Sequence, residues 1–206
     1  MATSELTTRV TEGTTTIYVT VEVSSSILLL PEVPMTGRLD NPRVGYFTNP
    51  LTNFSDGQQR VNKKQFITRW RLEPKPEDRE AYLRGELVEP QKPIVFYIEN
   101  STPYRWRKYI KQGIEDWQVA FERAGFKNAI IAKDITDDME VDMDDVNYSV
   151  LTYAASTKAN AMGPSILDPR SGEILEADIM WCIMCFQCFR SGLRYKPVWF
   201  VPKLAA

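Results

Sequence analysis

The sequence has 206 residues, of which 43% are hydrophobic and 25% are charged, enough for the core of one domain or of one domain and part of another. The 25 Lys and Arg residues nearly balance the 27 Asp and Glu residues, which argues against a dedicated nucleic-acid-binding protein. The sequence contains no histidine, and this excludes a Ser-His-Asp triad, a Cys-His dyad and every zinc site built on His.

The N-terminal third is predicted to form strands and an irregular arm. Residues 1–13 are polar and Thr-rich and predict no signal peptide, and no apolar run approaches the 18 residues of a membrane span. Residues 14–30 are rich in β-branched residues and predict a strand. Its apolar side chains share one face: Ile17, Val19, Val21 and Val23.

Prolines and glycines then punctuate residues 31–59, which predicts an arm lying over a surface. The arm has six large apolar side chains: Met35, Leu39, Val44, Tyr46, Phe47 and Phe54. These either bind a partner or, as we favour, pin the arm onto the domain beside it. Residues 64–72 predict another strand, and residues 73–93 predict a connector with a short helix over 77–84.

The middle of the chain predicts a βαβ unit. Residues 93–98 form a compact apolar strand, and Thr102 as N-cap with Pro103 at the first helical position starts a helix. An apolar stripe extends this helix over 103–124: Trp106, Ile110, Gly113, Trp117, Ala120, Phe121 and Ala124. Gly125 ends it, and residues 128–132 form a second strand, parallel to the first.

The following residues predict a third strand over 147–155 and a hairpin of 161–167 with 173–181 around the turn at 168–172. Three carboxylates lie on the second hairpin strand, where Glu176 and Asp178 share a face opposite Glu173. They could perform acid–base chemistry, but the polar face of a half-exposed strand is the favoured interpretation.

Two further clusters suggest metal binding. Six carboxylates crowd one loop: Asp137, Asp138, Glu140, Asp142, Asp144 and Asp145. They could bind calcium, but the glycine of an EF-hand turn is missing, so a solvated loop is favoured. Residues 182–206 contain no acid and all three cysteines, Cys182, Cys185 and Cys188, which lack the fourth ligand of a zinc or iron–sulfur site.

Seven segments of the chain carry a resemblance to a known family: LLLPEVPM (28–35), DNPRVGYF (40–47), ITRWRLEP (67–74), KPIVFYI (92–98), IKQGIEDW (110–117), NAMGPS (160–165) and DPRSGEIL (168–175). Together they resemble the large bacterial zinc-dependent metalloproteases of the metzincin type, over residues 14–181. The resemblance implies an α+β fold with a metzincin-like mixed twisted sheet and one long scaffold helix, preceded by a β-rich segment and an irregular arm.

The resemblance also implies a domain order. Residues 1–30 would be the C-terminal edge of an upstream β-rich domain, 31–92 a connecting arm with one strand, and 93–181 the N-terminal half of the catalytic domain. An antiparallel edge strand would hold the substrate peptide by backbone hydrogen bonds. Its residues are Asn160, Ala161, Met162, Gly163, Pro164, Ser165 and Ile166.

The zinc-binding motif of that family, His-Glu-x-x-His-x-x-Gly-x-x-His, lies downstream of the matching region, so no catalytic or metal residue is assigned here. The intact family binds zinc, acts on peptides or proteins and is extracytoplasmic. This chain is therefore expected to be a fragment of a zinc metalloendopeptidase that is inactive alone. The alternative is a non-catalytic module that binds a peptide or partner at its edge strand.

A change of reading frame would explain the atypical tail, residues 182–206. Codons for residues 181–187, shifted by two bases, permit Val-His-Asn-Val, a motif that the family carries at this place. A frame change near Trp181, with a cloning-derived end at 203–206, is the favoured hypothesis. A native hydrophobic segment is the alternative.

Overall fold

A computed structural model describes residues 2–12, 14–54, 61–136, 139, 141, 145–155 and 161–182. Strands contribute 42% and helices 16%, which confirms the predicted α+β class. The strands are β1 (Ala2–Glu12), β2 (Thr15–Ser25), β3 (Thr48–Asn53), β4 (Asn62–Ile67), β5 (Arg69–Trp70), β6 (Ile94–Ile98), β7 (Ile130–Asp134), β8 (Ser149–Ala154), β9 (Ala161–Met162), β10 (Ser165–Leu167), β11 (Glu173–Ala177) and β12 (Ile179–Cys182). The α-helices are α1 (Arg79–Leu83), α2 (Tyr104–Glu115) and α3 (Gln118–Arg123), and a 3₁₀ turn, Pro76–Asp78, precedes α1.

The chain divides into two compact units. Unit 1 comprises Met1–Arg71, Thr136–Tyr148 and Ile166–Glu176, and unit 2 comprises Leu72–Ile135, Ser149–Ser165 and Ala177–Ala206. The chain therefore crosses between the units several times, and each unit is built from segments distant in sequence.

Unit 1 contains an antiparallel ribbon of β1 and β2, paired from Ala2 opposite Ser25 to Glu12 opposite Thr15. The strand predicted over 14–30 is confirmed over Thr15–Ser25 as β2, whereas residues 26–30 lie outside any strand. β1 was not predicted, because its Thr-rich residues show little apolar alternation. The four apolar residues of β2 share a face with Leu6 and Val10 of β1. Threonine hydroxyls pair across the other face, Thr7 with Thr20 and Thr11 with Thr16, each at 3.2 Å.

Three arginine side chains donate to backbone carbonyls of the arm in unit 1, in addition to backbone hydrogen bonds between the arm and the end of β4. Arg69 donates to the carbonyl of Thr36 at 2.7 Å, Arg71 to that of Val33 at 3.1 Å, and Arg170 to that of Pro31 at 2.7 Å. Of the six apolar arm residues only Met35 is buried, and the others are exposed: Leu39, Val44, Tyr46, Phe47 and Phe54. The prediction that these side chains pin the arm is therefore wrong for all but Met35.

Two small sheets complete unit 1. β3 pairs antiparallel with β4. β11 lies between β5, to which it is parallel, and β10. Gly172 precedes β11 with a φ of +75°, a conformation that glycine adopts without strain. A Cβ built there would lie 2.6 Å from the carbonyl oxygen of Ile67.

Unit 2 is built on the predicted βαβ unit. β6 and β7 pair in parallel from Ile94 opposite Ile130, and β8 pairs parallel to β6 on its other side. The central strands supply the core, with Ile98 and Val150 both 0% exposed. A second cluster comprises Val88, Phe126 and Ala129, and the ring of Tyr82 stacks on Phe126 at 5.1 Å.

The predicted helix 103–124 is interrupted, which corrects that prediction. α2 ends at Glu115, and Trp117 is 65% exposed instead of lying in the apolar stripe, while Ile114 is buried. The side chain of Gln118 explains this, because it donates to Phe126 O and accepts from the N–H of Ala129. Successive helix residues are about 100° apart, so turning Gln118 inward directs Trp117 outward.

The ends of this helical segment differ in how well the sequence predicted them. Gly125, with φ +93°, ends α3 as predicted, and Phe126 N–H donates to Phe121 O at 2.9 Å in the manner of a Schellman motif. The N-cap of α2 is Pro103, not Thr102. Thr102 is one residue too early to cap, and its hydroxyl, 1% exposed, has no hydrogen-bond partner among the described residues.

Candidate peptide-binding edge strand

Strand β9 lies at the edge of the five-stranded sheet of unit 2, whose order is β7-β6-β8-β12-β9. β12 is parallel to β8, whereas β9 is antiparallel to β12, with Met162 opposite Met180 and Ala161 opposite Trp181. The sheet therefore consists of four parallel strands and one antiparallel edge strand. An edge strand is the place where an extended peptide can add to a sheet.

The predicted site residues do not all lie together. Asn160 lies outside the described residues. Residues 161–165 are exposed in unit 2, and the side chain of Met162 is 52% exposed. Ser165 and Ile166 both belong to β10, which pairs with β11 of the small sheet, but Ser165 falls in unit 2 and Ile166 in unit 1. The candidate site is thus Ala161–Ser165, and Ile166 is removed from it.

Asp178 supports the segment that follows β9. Its N–H donates to the carbonyl of Pro164 at 3.0 Å, and its Oδ1 accepts from the N–H of Val150 at 2.9 Å. The neighbouring residue Ala177 donates its N–H to the hydroxyl of Ser149 at 3.2 Å. These bonds connect the edge strand to β8 by way of the residue between β11 and β12, so Asp178 positions the site.

The three carboxylates on the predicted hairpin strand fall in two different units. Glu173 and Glu176 are buried in unit 1, whereas Asp178 lies in unit 2, and the strand predicted over 173–181 is broken between them. The favoured interpretation, a polar face of a half-exposed strand, is therefore wrong. The first half of the predicted strand, β11, joins the sheet with β5 and β10, and the second half, β12, joins the five-stranded sheet. Within unit 1, Arg71 Nη1 lies 3.9 Å from Glu173 Oε2.

An aromatic cluster lies beside the edge strand. The ring of Trp181, opposite Ala161 in the register, lies 5.5 Å from that of Tyr153 and 6.3 Å from that of Trp106. The guanidinium of Arg105 is 5.1 Å from the Trp106 ring. This aromatic cluster was not predicted from the sequence. Its one available signal was that Tyr153 and Trp181 each fall near the end of a predicted strand.

The two suggested metal clusters lie mostly outside the described residues. Among the described residues, no three His, Cys, Asp or Glu side chains converge on a possible metal position. Cys182 is buried and is a free thiol, while Cys185 and Cys188 lie outside the described residues. Of the six acidic-loop residues only Asp145 is described, and its Oδ1 accepts from the backbone N–H of Asn147 at 3.1 Å.

Carboxylates with a shifted pKa lie outside the edge strand. In unit 1, the hydrogen bond from the Arg170 side chain holds the pKa of the Asp168 carboxyl below its ordinary range, and the same contact raises the pKa of Arg170. In unit 2, the side-chain amide of Asn128 and the ammonium of Lys75 lower the pKa of Glu89. These are ion pairs and hydrogen bonds that favour the charged form, and they give no general acid or base to the candidate site.

A protein-family model matches the N-terminal part of the chain. Residues 1–75 are similar to a family described as a domain of unknown function, DUF5117. No curated protein matches the chain, and no solved structure matches it. In the part of the chain that the structure describes, no helix is long and apolar enough to cross a membrane.

Proposed function

We propose that this chain contains the substrate-binding part of a metzincin-type zinc metalloendopeptidase, and that β9 binds an extended peptide. The observation that carries the proposal is the exposed antiparallel strand β9 at the edge of an otherwise parallel sheet, followed by the exposed residues 163–165. The strand order agrees with what the sequence resemblance implied for an edge strand beside β12. On the same resemblance, the intact protein would act outside the cytoplasm.

A peptide at this edge would be held by backbone hydrogen bonds, because these are what a sheet edge offers to any sequence. Selectivity would come from side chains near the strand, and the described candidates are Met162 and Ser165 on the segment itself. The aromatic cluster around Trp181 would stiffen the strand next to β9. Binding by this route requires no titratable group.

The residues present do not fit the zinc of the family. The chain has no histidine, and the described residues form no group that could hold a metal. Zinc in an intact family member would activate a water for attack on the peptide carbonyl. We expect this chain alone to bind peptide without hydrolysing it, and stoichiometric zinc with peptidase activity would contradict that expectation.

Peptide binding can be tested with a panel of fluorescein-labelled, proline-free decapeptides, measured by anisotropy against the full chain. Met162→Pro removes a backbone N–H from β9 and should weaken binding at least tenfold, whereas Met162→Ala keeps that N–H and should change binding less than about threefold. N-methylation at alternate peptide residues should weaken the best peptide in the same way. No saturable binding, or equal loss in both variants, would argue against an edge-strand mode.

The fragment hypothesis has its own test. The source DNA should be sequenced across codons 175–210, because the composition changes after Trp181. A corrected frame that continues to a His-Glu-x-x-His helix supports a zinc peptidase as the parent protein. An intact frame, with a monodisperse protein that melts cooperatively and copurifies with a specific partner, supports the non-catalytic binding module instead.

A further inference from the structure

The charged residues of the β1–β2 ribbon are poorly matched within the ribbon itself. Glu5 lies directly opposite Glu22, and Arg9 lies opposite Tyr18, all on the face that carries the threonine pairs. Like charges at directly opposite positions destabilise a sheet. In the described part of the chain, Glu5, Glu22 and Arg9 form no ion pair. These three residues are thus one cation and two carboxylates that the ribbon does not neutralise.

We propose that the outer edge of β1 pairs with β1 of a second copy of this chain, antiparallel and about a two-fold axis at Thr7. Glu5 stands two residues before Thr7 and Arg9 two residues after it. The axis therefore places Glu5 opposite Arg9 of the second copy, and Arg9 opposite Glu5 of the second copy. Both new ion pairs form on the face that carries Glu22, so each also offsets the repulsion between Glu5 and Glu22.

Two conditions select this register: opposite charges must meet, and the apolar faces of the two copies must lie on the same side of the sheet. An axis at Glu5 or at Arg9 would place like charges against each other, and an axis at Leu6 or Thr8 would leave Glu5 opposite a threonine. An axis between two residues would bring the apolar face of one copy to the polar face of the other, because side chains alternate along a strand. The axis at Thr7 alone among these forms two opposite-charge pairs and keeps the faces matched.

The apolar face also gains from this arrangement. Leu6 and Val10 are exposed in β1, with Ile17 and Val21 beside them on β2. Pairing would place Leu6 opposite Thr8 of the second copy and would join the two apolar faces in one four-stranded sheet. A two-stranded ribbon is marginal by itself, whereas four strands with an apolar face can be stable. Among the described residues β1 pairs with β2 alone, and its other edge would then be covered by a defined partner.

Cysteine cross-linking of the full chain tests the register, in a background where Cys182, Cys185 and Cys188 are serine. Directly opposite residues of antiparallel strands have Cα atoms about 4.5–5.5 Å apart, within reach of a disulfide, so Thr7→Cys should cross-link two copies on mild oxidation. Thr11→Cys is the matched control, since it has the same face, strand and type of threonine partner. The proposed axis separates its two copies by about 27 Å, so it should not cross-link.

Charge reversal tests the ion pairs, with the dimer dissociation constant measured by sedimentation equilibrium. Arg9→Glu should weaken the dimer at least tenfold, and Glu5→Arg should do the same. The double variant Glu5→Arg/Arg9→Glu should restore the affinity, which separates charge matching from a loss of folding. A monomeric chain, equal cross-linking at positions 7 and 11, or a double variant as weak as the single ones would each overturn the proposal.

Discussion

In unit 2 the buried residues among those described are mostly apolar, whereas in unit 1 they are mostly polar or charged. Apart from Gly172, the buried residues described in unit 1 are Met35 and four with polar side chains: Asp168, Ser171, Glu173 and Glu176. Unit 2 instead buries a strand core around Ile98 and Val150 and a cluster around Phe126. The same chain therefore stabilises its two halves by different interactions.

The difference has a structural consequence for each unit. In unit 1, the buried carboxylate of Asp168 accepts hydrogen bonds from the guanidinium of Arg170, which also donates to the carbonyl of Pro31 in the arm. Asp168 therefore orients the arginine that holds this part of the arm. In unit 2, apolar burial holds the strands, at roughly 25 cal/mol per Å² of surface removed from water. Unit 1 should therefore respond to charge and pH, and unit 2 to the creation of cavities.

The largest expected effect comes from a pair of matched isoleucines. Ile98 in β6 is 0% exposed and Ile17 in β2 is 54% exposed. Ile98→Ala should lower the free energy of unfolding by about 2–5 kcal/mol, because it leaves a cavity between packed strands. Ile17→Ala should change it by less than about 1 kcal/mol. Urea denaturation followed by tryptophan fluorescence measures both values.

Dimer formation would change the exposure of Ile17. The measurement on Ile17→Ala should be made at a concentration where the chain is monomeric, since the second copy would cover part of the same face. Equal losses for the two variants would show that the ribbon face is buried in solution by something other than the proposed partner. That result would remove the contrast between the units.

A smaller effect is expected from two glycines within unit 1. Gly172 has a φ of +75° and no room for a Cβ near Ile67 O, whereas Gly45 has nothing within 4 Å of the same atom position. Gly172→Ala should cost about 1–3 kcal/mol because the backbone must shift. Gly45→Ala should be nearly neutral. Thermal melts of both variants provide the measurement, and an unaffected Gly172→Ala would mean that the turn before β11 does not constrain unit 1.

Much of unit 2 could be predicted from local patterns. The strand at 93–98, the strand at 128–132 and Gly125 as a helix end follow from apolar runs and from the conformational freedom of glycine, and the structure confirms them. The alternation in β2 also correctly placed its apolar residues on one face. Alternation does not tell whether anything covers that face, so the exposure of Ile17 could not be predicted.

The missed features depend on contacts between residues distant in sequence. Trp117 turns outward because Gln118 hydrogen-bonds near β7, and the strand predicted over 173–181 breaks because Asp178 bonds to Val150 and Pro164. Neither partner is local, so no window of sequence contains the cause. The residue pattern predicted one strand over 161–167, which the structure divides into β9 and β10, and the edge position came from the resemblance alone.

The smallest expected effect tests the polar interior of unit 1 through its pH dependence. The hydrogen bond from Arg170 lowers the pKa of Asp168 in the folded state, so its stabilisation is fully present above the unfolded value of about 3.9 and is lost as the pH falls through the folded pKa. Because Arg170 is 40% exposed, solvent weakens the pair, and Asp168→Asn should cost about 1–2 kcal/mol at pH 7. The cost should begin to shrink as the pH falls below about 4 and should vanish below the lowered folded pKa, where folded wild type has also lost the charge. Asp116→Asn, on an exposed residue, should change stability by less than about 0.5 kcal/mol at either pH. A cost for Asp168→Asn that stays constant down to pH 2 would mean that its packing, and not its charge, stabilises unit 1.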